Sequence, residues 1–155
     1  MAPMSAAGLR PLRRAERALA YGLLGWSTEL VFTAAQNLLH KQTRSPHLQG
    51  HSYLWMPPIY GLCAVLYEPL HDRLRTVPTA QRAAVYAAGI IGVEYVTGRL
   101  IERVVGVIPW DYTGRSRFQV HGATRLDYAP LWAAAGIALE PVDDALRSLR
   151  VGWAG

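Results

Sequence analysis

Two glutamates, Glu29 and Glu94, are the residues whose type and position best fit chemistry, because each stands within a long apolar segment. A charged carboxyl at mid-membrane depth costs about 2.5 to 3.5 kcal/mol on insertion scales, so it should face protein or a water-filled cavity. There it could bind an ion, a proton or a polar head group. The alternative role is structural, with two carboxyls sharing a proton or one carboxyl paired with an arginine such as Arg99 or Arg125.

Small and polar residues accompany both glutamates at steps of three and four residues. They are Gly22, Gly25, Thr33 and Gln36 around Glu29, and Thr97, Gly98 and Glu102 around Glu94. This spacing places each set on one face of a helix. Two such faces in contact would form a polar seam, and their small residues would let the helices approach closely.

A third group of candidate residues, Trp110-Asp111-Tyr112, follows the second of these helices. The aromatic rings suit a membrane interface, and the aspartate suits an Asx turn. Beyond it, residues 115–120 alternate as a short extended run, and His121-Gly122 predicts another turn. The candidate ligand-binding residues are therefore Glu29, Thr33, Glu94, Thr97, Trp110, Asp111 and Tyr112.

Composition favours a membrane protein and excludes several other classes. Hydrophobic residues make up 51% of the chain and charged residues 17%, below the roughly 25% charged of soluble domains. The sixteen Lys and Arg residues lie beside apolar segments and form no basic stripe with aromatics, which argues against nucleic-acid binding. A lone cysteine, Cys63, and histidines without ligand spacing predict no metal site. No phosphate-binding glycine motif is present, so we expect no cofactor.

Four apolar segments must position the candidate residues. They cover about 18–39, 52–70, 83–101 and 126–140, joined by polar connections such as 40–51. Lengths near 20 residues fit a bilayer core, although the fourth segment is short. The sequence thus predicts one all-α membrane domain over 1–155. This domain has about four transmembrane helices and a short amphipathic helix at 141–150. Glu68 and Glu140 each precede a proline and are expected to mark helix ends.

An internal repeat suggests that these helices form two tandem hairpins. Residues 58–69 and 130–141 align without a gap, both running from Pro to Glu-Pro, and a helix with a central glutamate precedes each. The alternative is coincidence among apolar residues. A slight excess of arginines in the segments on the side of the N-terminus favours both termini in the cytoplasm.

Several of these residues also occur in a known family. The sequence resembles the small bacterial membrane proteins called putative ABC-transporter type IV, and the related animal transmembrane protein 229 family. The matching pieces are Gly25-Trp26 with Glu29, Pro58-Ile59-Tyr60-Gly61, Glu94-Tyr95 with Thr97-Gly98 and Glu102, Trp110-Asp111-Tyr112, and Phe118 with Gly122. Thr113 stands where the family usually has serine, and His121 where bacterial members often have asparagine. The resemblance implies a multi-pass helical membrane protein, and the family's label implies a permease.

Three hypotheses for function follow. The first is a permease-like or accessory subunit in the cell membrane that binds a lipid, ion or small solute in the polar seam, with a second copy or transporter subunits as partners. The second is an intramembrane lipid-modifying enzyme that uses Glu29 or Glu94 as general acid or base, with Asp111 nearby. The third is a soluble helical bundle.

Overall fold

The computed structural model describes residues 9–39 and 49–152, and within them the chain is helical as predicted. The helices are α1 (Arg14–Leu39), α2 (Met56–Gly61), α3 (Tyr67–Leu74), α4 (Thr79–Val105) and α5 (Ala129–Ser148), with 3₁₀ turns at Leu62–Ala64 and Leu126–Tyr128. Four two-residue strands pair antiparallel: β1 (Arg10–Pro11) with β4 (Arg150–Val151), and β2 (Gln119–Val120) with β3 (Thr124–Arg125). Most of the connection predicted at 40–51 lies outside the described residues.

The described residues divide into two compact units, where we had predicted one domain. Unit 1 contains the described part of 1–70 together with that of 143–155, and unit 2 is His71–Val142. Unit 1 therefore holds α1, α2 and the β1–β4 pair. Unit 2 holds α4, the β2–β3 hairpin and most of α5. Each unit thus contains one of the two aligned segments of the repeat.

In unit 1, helix α2 lies directly against α1 because glycines occupy the contact. A Cβ atom on Gly22 would come within 2.7 Å of the carbonyl oxygen of Pro57, and one on Gly25 within 2.4 Å of the Tyr60 ring. Both distances are too short for any larger residue. The small residues of α1 therefore allow the close approach of α2, whereas their approach to the helix of Glu94 stays a prediction.

The predicted second span, 52–70, is not one continuous helix. Helix α2 begins at the proline pair Pro57-Pro58 and ends at Gly61, and α3 begins at Tyr67. Glu68, expected to mark a helix end, instead lies in the first turn of α3. Pro69 follows it there, and a proline is tolerated in a first turn because its missing N–H would have no helical partner.

In unit 2, α4 contains the predicted third span and extends beyond it at both ends. It ends at Gly106, whose φ of 88° is left-handed and whose N–H donates to the Glu102 carbonyl at 2.8 Å. This is a common glycine cap. Helix α5 packs on α4 through Gly136, where a Cβ atom would lie 2.3 Å from Cβ of Tyr86.

The predicted fourth span and C-terminal helix form a single helix, α5, so a helix end at Glu140 was wrong. Pro141 lies inside α5 and cannot donate the usual backbone hydrogen bond, a loss that costs about 3 kcal/mol in a helix interior. Contacts on both sides offset it. Glu140 is held by Arg82 in unit 2, and Asp143 is held by Tyr21 in unit 1.

Apolar side chains cover much of the outside of these helices. Among the described residues, α4 is the one helix both long and apolar enough to cross a bilayer, and only 17% of its most apolar stretch is buried. Large side chains remain exposed along α1 as well, including Leu19 at 64% and Val31 at 62%. By contrast, Glu68, His71, Thr124 and Asp143 are buried.

Candidate functional site

In unit 2, the carboxylate of Glu94 is the centre of a cluster of hydroxyl groups. The Tyr112 hydroxyl donates to Glu94 Oε1 at 2.8 Å, and the hydroxyl of Thr124, which is buried, donates to Oε2. Glu94 itself is partly exposed. The side chain of Trp132 also acts on Glu94 as a hydrogen-bond donor. A carboxylate offers about four acceptor positions, so these three donors leave room for one more.

The connection between α4 and α5 carries both hydroxyl donors to Glu94. The indole N–H of Trp110 donates to the Ala123 carbonyl at 2.8 Å, and the Tyr112 N–H donates to the Gly122 carbonyl at 2.9 Å. Trp110 packs against α4 at Gly98, where a Cβ atom would lie 3.2 Å from the indole ring. Gly98 and Trp110 thus set the distance between the connection and α4.

The turn predicted at His121-Gly122 is present. Both of these residues have a positive φ angle there. Their φ angles are +51° and +68°, and the Ala123 N–H donates to the Val120 carbonyl at 3.0 Å. Asparagine and glycine adopt positive φ most readily. The asparagine common in the family at the position of His121 therefore fits the backbone conformation. His121 contacts the Tyr95 hydroxyl at 3.0 Å.

Aromatic rings continue from Tyr112 along one side of this cluster. Tyr112 meets Tyr128 edge to face at 6.0 Å, and Tyr128 meets Trp132 in the same way at 6.1 Å. The Arg125 guanidinium lies 4.0 Å from the centre of the Tyr128 ring. Burial, together with the charge of the neighbouring Glu94, raises the pKa of Tyr112, so this hydroxyl remains a donor at neutral pH.

Asp111 and Thr97, also candidates, have local roles. The Thr113 N–H donates to Asp111 Oδ1 at 2.8 Å, which is the Asx turn predicted from the sequence. Hydrogen bonds from the Thr113 side chain and backbone lower the pKa of Asp111, which is exposed. The Thr97 hydroxyl donates to the Val93 carbonyl one turn earlier in α4, at 2.6 Å.

The second glutamate, Glu29, accepts a hydrogen bond from the Tyr60 hydroxyl at 2.9 Å in unit 1. Its companion Thr33 exchanges hydrogen bonds with the backbone of His51, and Asn37 donates to the Gln49 carbonyl at 2.7 Å. Thr33 therefore fastens segment 49–51 along α1. Gln36, placed on the polar stripe by its spacing, is exposed.

The two arginines considered as partners of Glu94 are paired elsewhere. Arg99 pairs with Glu102, one turn along α4, and Arg125 pairs with Asp127. Neither forms an ion pair with Glu94, although the charge of Arg125 acts on it. Glu29 and Glu94 belong to different units, and the seam between their helices stays a prediction.

The sequence-based analysis missed one ion-pair cluster in each unit. In unit 1, Arg17 forms two hydrogen bonds of 2.7 Å with Glu68, which is 2% exposed. In unit 2, Arg82 forms bonds of 2.7 and 3.0 Å with Glu140, which also accepts from the Tyr86 hydroxyl at 3.1 Å.

The signal for these clusters is a shared spacing. Each arginine is followed by a tyrosine four residues later and by a glutamate twelve residues later: Arg17, Tyr21 and Glu29 in α1, and Arg82, Tyr86 and Glu94 in α4. The acidic partners, Glu68 and Glu140, are equivalent in the aligned segments 58–69 and 130–141. The repeat predicted from the sequence thus extends to the ion pairs.

These features define a class: a small helical protein of two compact units, each with buried polar clusters and exposed apolar helix faces. The chain belongs to the family described as putative ABC-transporter type IV, whose model matches residues 18–146. The resemblance found in the sequence is confirmed, and the family indicates a transport-related role and membrane association. No solved structure gives a significant match to the chain.

Proposed function

We propose that the chain is a multi-pass protein of the cell membrane that serves as a permease-like or accessory subunit of a transporter and binds a polar ligand at Glu94. The ligand would be a lipid head group, an ion or a small solute. The observation that carries the proposal is the hydroxyl-lined Glu94 carboxylate on α4, the one described helix long and apolar enough to cross a bilayer. Family membership supports the transport-related part.

The distribution of polar and apolar side chains supports the membrane part of the proposal. A soluble helical bundle would bury the large apolar residues that α1 and α4 expose and would expose ions such as Glu68 and Asp143. In a bilayer, lipid hydrocarbon would favour the observed arrangement, with apolar side chains exposed and ions buried. At about 1.5 Å per residue, α1 and α4, with 26 and 27 residues, are each longer than a bilayer core of about 30 Å.

The β1–β4 pair supports an even number of membrane crossings. Arg10 is the register partner of Val151, so the chain segments nearest the two termini lie side by side. Two ends on the same side of a membrane require an even number of crossings. The positive-inside tendency then favours the cytoplasm for both.

The test is to purify the protein from membranes in mild detergent and identify co-purifying small molecules by mass spectrometry. We expect the wild type to retain a specific lipid or solute that Glu94→Gln loses. The matched control is Glu102→Gln, which removes a charge two turns away on the same helix, beside Arg99. Extraction of the wild type from membranes by alkaline carbonate would refute the membrane part. Equal retention by both variants would refute the Glu94 site.

The enzyme hypothesis gains no support from the geometry around either glutamate. It required Asp111 near a catalytic carboxylate, and Asp111 is exposed and engaged in its Asx turn. Lipid extracts that differ between cells lacking the protein and cells overexpressing it would revive that hypothesis.

A further inference from the structure

Beyond the Glu94 site, unit 2 exposes a short loop in which basic and apolar side chains lie together. We call Arg115, Arg117, Phe118 and Leu126 the basic–apolar surface. Phe118 is 48% exposed and Leu126 51% exposed. The Leu126 N–H donates to the Phe118 carbonyl at 3.0 Å, so the two are neighbours. The Arg117 guanidinium lies 4.8 Å from the Phe118 ring centre, and Arg115 is exposed.

Hydrogen bonds within the loop hold this surface in place. The Ser116 hydroxyl donates to Asp127 at 3.1 Å and accepts from the Phe118 N–H at 3.0 Å. Asp127 is itself paired with Arg125. Asp111 is near enough to Arg115 for that charge to add to the hydrogen bonds from Thr113 in lowering the pKa of Asp111. The loop is therefore built to present two cations and two apolar side chains outward.

This combination fits one partner chemistry better than any other. Arginine matches phosphate oxygens in a two-pronged geometry, and each basic residue near an anionic leaflet contributes about 1 kcal/mol of attraction. Aromatic and aliphatic side chains beside them suit the boundary between head groups and acyl chains. The loop also follows soon after the end of α4 at Val105, which is where a helix that spans the bilayer would leave it.

We propose that the basic–apolar surface binds the phosphate head groups of anionic phospholipids at the membrane surface. The arginines would bind the phosphates, and Phe118 and Leu126 would enter the acyl boundary. This inference rests on the proposed membrane location but not on the Glu94 ligand.

The experiment uses the full chain in mixed micelles of phosphatidylglycerol and phosphatidylcholine, and native mass spectrometry counts the lipids retained. We expect the wild type to prefer phosphatidylglycerol. The double variant R115Q/R117Q should lose that preference on the order of tenfold, and added salt should weaken it in the wild type. Phe118→Ser should lower retention of both lipids without a change of charge.

The matched control is R13Q/R14Q, which removes two exposed arginines from unit 1. Its lipid preference should match that of the wild type. Equal losses in the two double variants would mean that total charge alone attracts the lipid, and the proposed surface would be wrong. No preference in a wild-type protein that still resists carbonate extraction would refute the surface while leaving the membrane proposal standing.

Discussion

The two units share one arrangement of ion pairs and differ in what surrounds the central glutamate. In both, an arginine at the start of a long helix binds the glutamate of a Glu-Pro pair, as Arg17 does with Glu68 and Arg82 with Glu140. Both central glutamates accept a tyrosine hydroxyl. Glu29 takes it from α2, the helix packed on its own, whereas Glu94 takes it from the connection between α4 and α5.

The difference lies in the chain segments that follow the two long helices. In unit 1, Thr33 and Asn37 hold residues 49–51 along α1. In unit 2 the corresponding connection folds into a hairpin that delivers Tyr112 and Thr124 to the carboxylate. Among the described residues, this hairpin distinguishes the surroundings of Glu94 from those of Glu29.

The largest expected effect is on the free energy of unfolding, and it differs between the two arginine–glutamate pairs. The Glu68 side chain is 3% exposed and that of Glu140 is 16% exposed. Replacing one partner of a buried ion pair leaves an uncompensated charge, so Glu68→Gln should lower the free energy of unfolding by about 3 to 5 kcal/mol. Glu140→Gln should cost about 1 to 3 kcal/mol. Denaturant unfolding in detergent, followed by circular dichroism, measures both.

Glu102→Gln provides the reference for that comparison. The side chain of Glu102 is 36% exposed in its pair with Arg99, and exposed pairs contribute at most about 1 kcal/mol. If Glu140→Gln proved as costly as Glu68→Gln, the two pairs would be energetically equivalent and the asymmetry argued from burial would fail.

The next effect concerns the glycine contacts that the units share. Gly22→Ala in unit 1 and Gly136→Ala in unit 2 should each lower stability by about 1 to 3 kcal/mol, because the added methyl overlaps a neighbouring atom. Gly92→Ala is the control, since no atom lies within 4 Å of a Cβ there. It should raise stability by up to about 1 kcal/mol through helix propensity. Thermal unfolding of the three variants in one detergent ranks them, and a stabilising Gly136→Ala would contradict the contact.

The smallest effect is the pH dependence that Glu16 contributes in unit 1. Arg10 and the Arg13 N–H lower the pKa of Glu16 from 4.5 to about 2. A lowered carboxyl pKa stabilises the fold above its unfolded value, and this stabilisation disappears as the pH falls from 4.5 towards 2. Unit 2 has Gln81 at the equivalent position beside Arg82.

Acid titration of stability in the wild type and in Glu16→Gln checks this dependence. The difference in the free energy of unfolding between the two proteins should shrink between pH 4.5 and 2. The change should be small because the pair is exposed. A difference that stays constant over this range would show that Glu16 does not contribute through its charge.

The helical fold and the Asx turn at Asp111 were predictable because each depends on local spacing or on residue type. The Glu94 cluster was only partly predictable. Its members Glu94, Trp110 and Tyr112 were singled out, but Thr124 was not, since its position depends on how the hairpin folds back. Hydropathy indicated that 52–70 was apolar, but could not show that its helix stops at Gly61.

The ion pairs were missed for a related physical reason. An Arg residue at the edge of an apolar segment looks like an interfacial anchor, and nothing local distinguishes it from one that reaches a carboxylate about 50 residues away, as Arg17 does. Only comparison of the two repeats, with Arg, Tyr and Glu at matched spacing, could have paired them.

The pairing of β1 with β4 has a practical consequence. Because the two strands lie in register, the contacts of α1 with α2 and those of α4 with α5 do not depend on which pair comes first along the chain. A short linker joining residue 9 to residue 152, with new ends opened at the exposed Thr113-Gly114 turn, would give a circular permutant. In that chain the strands β2 and β3 come first. A tag at the new N-terminus would therefore lie next to the hairpin that carries Thr124 to Glu94.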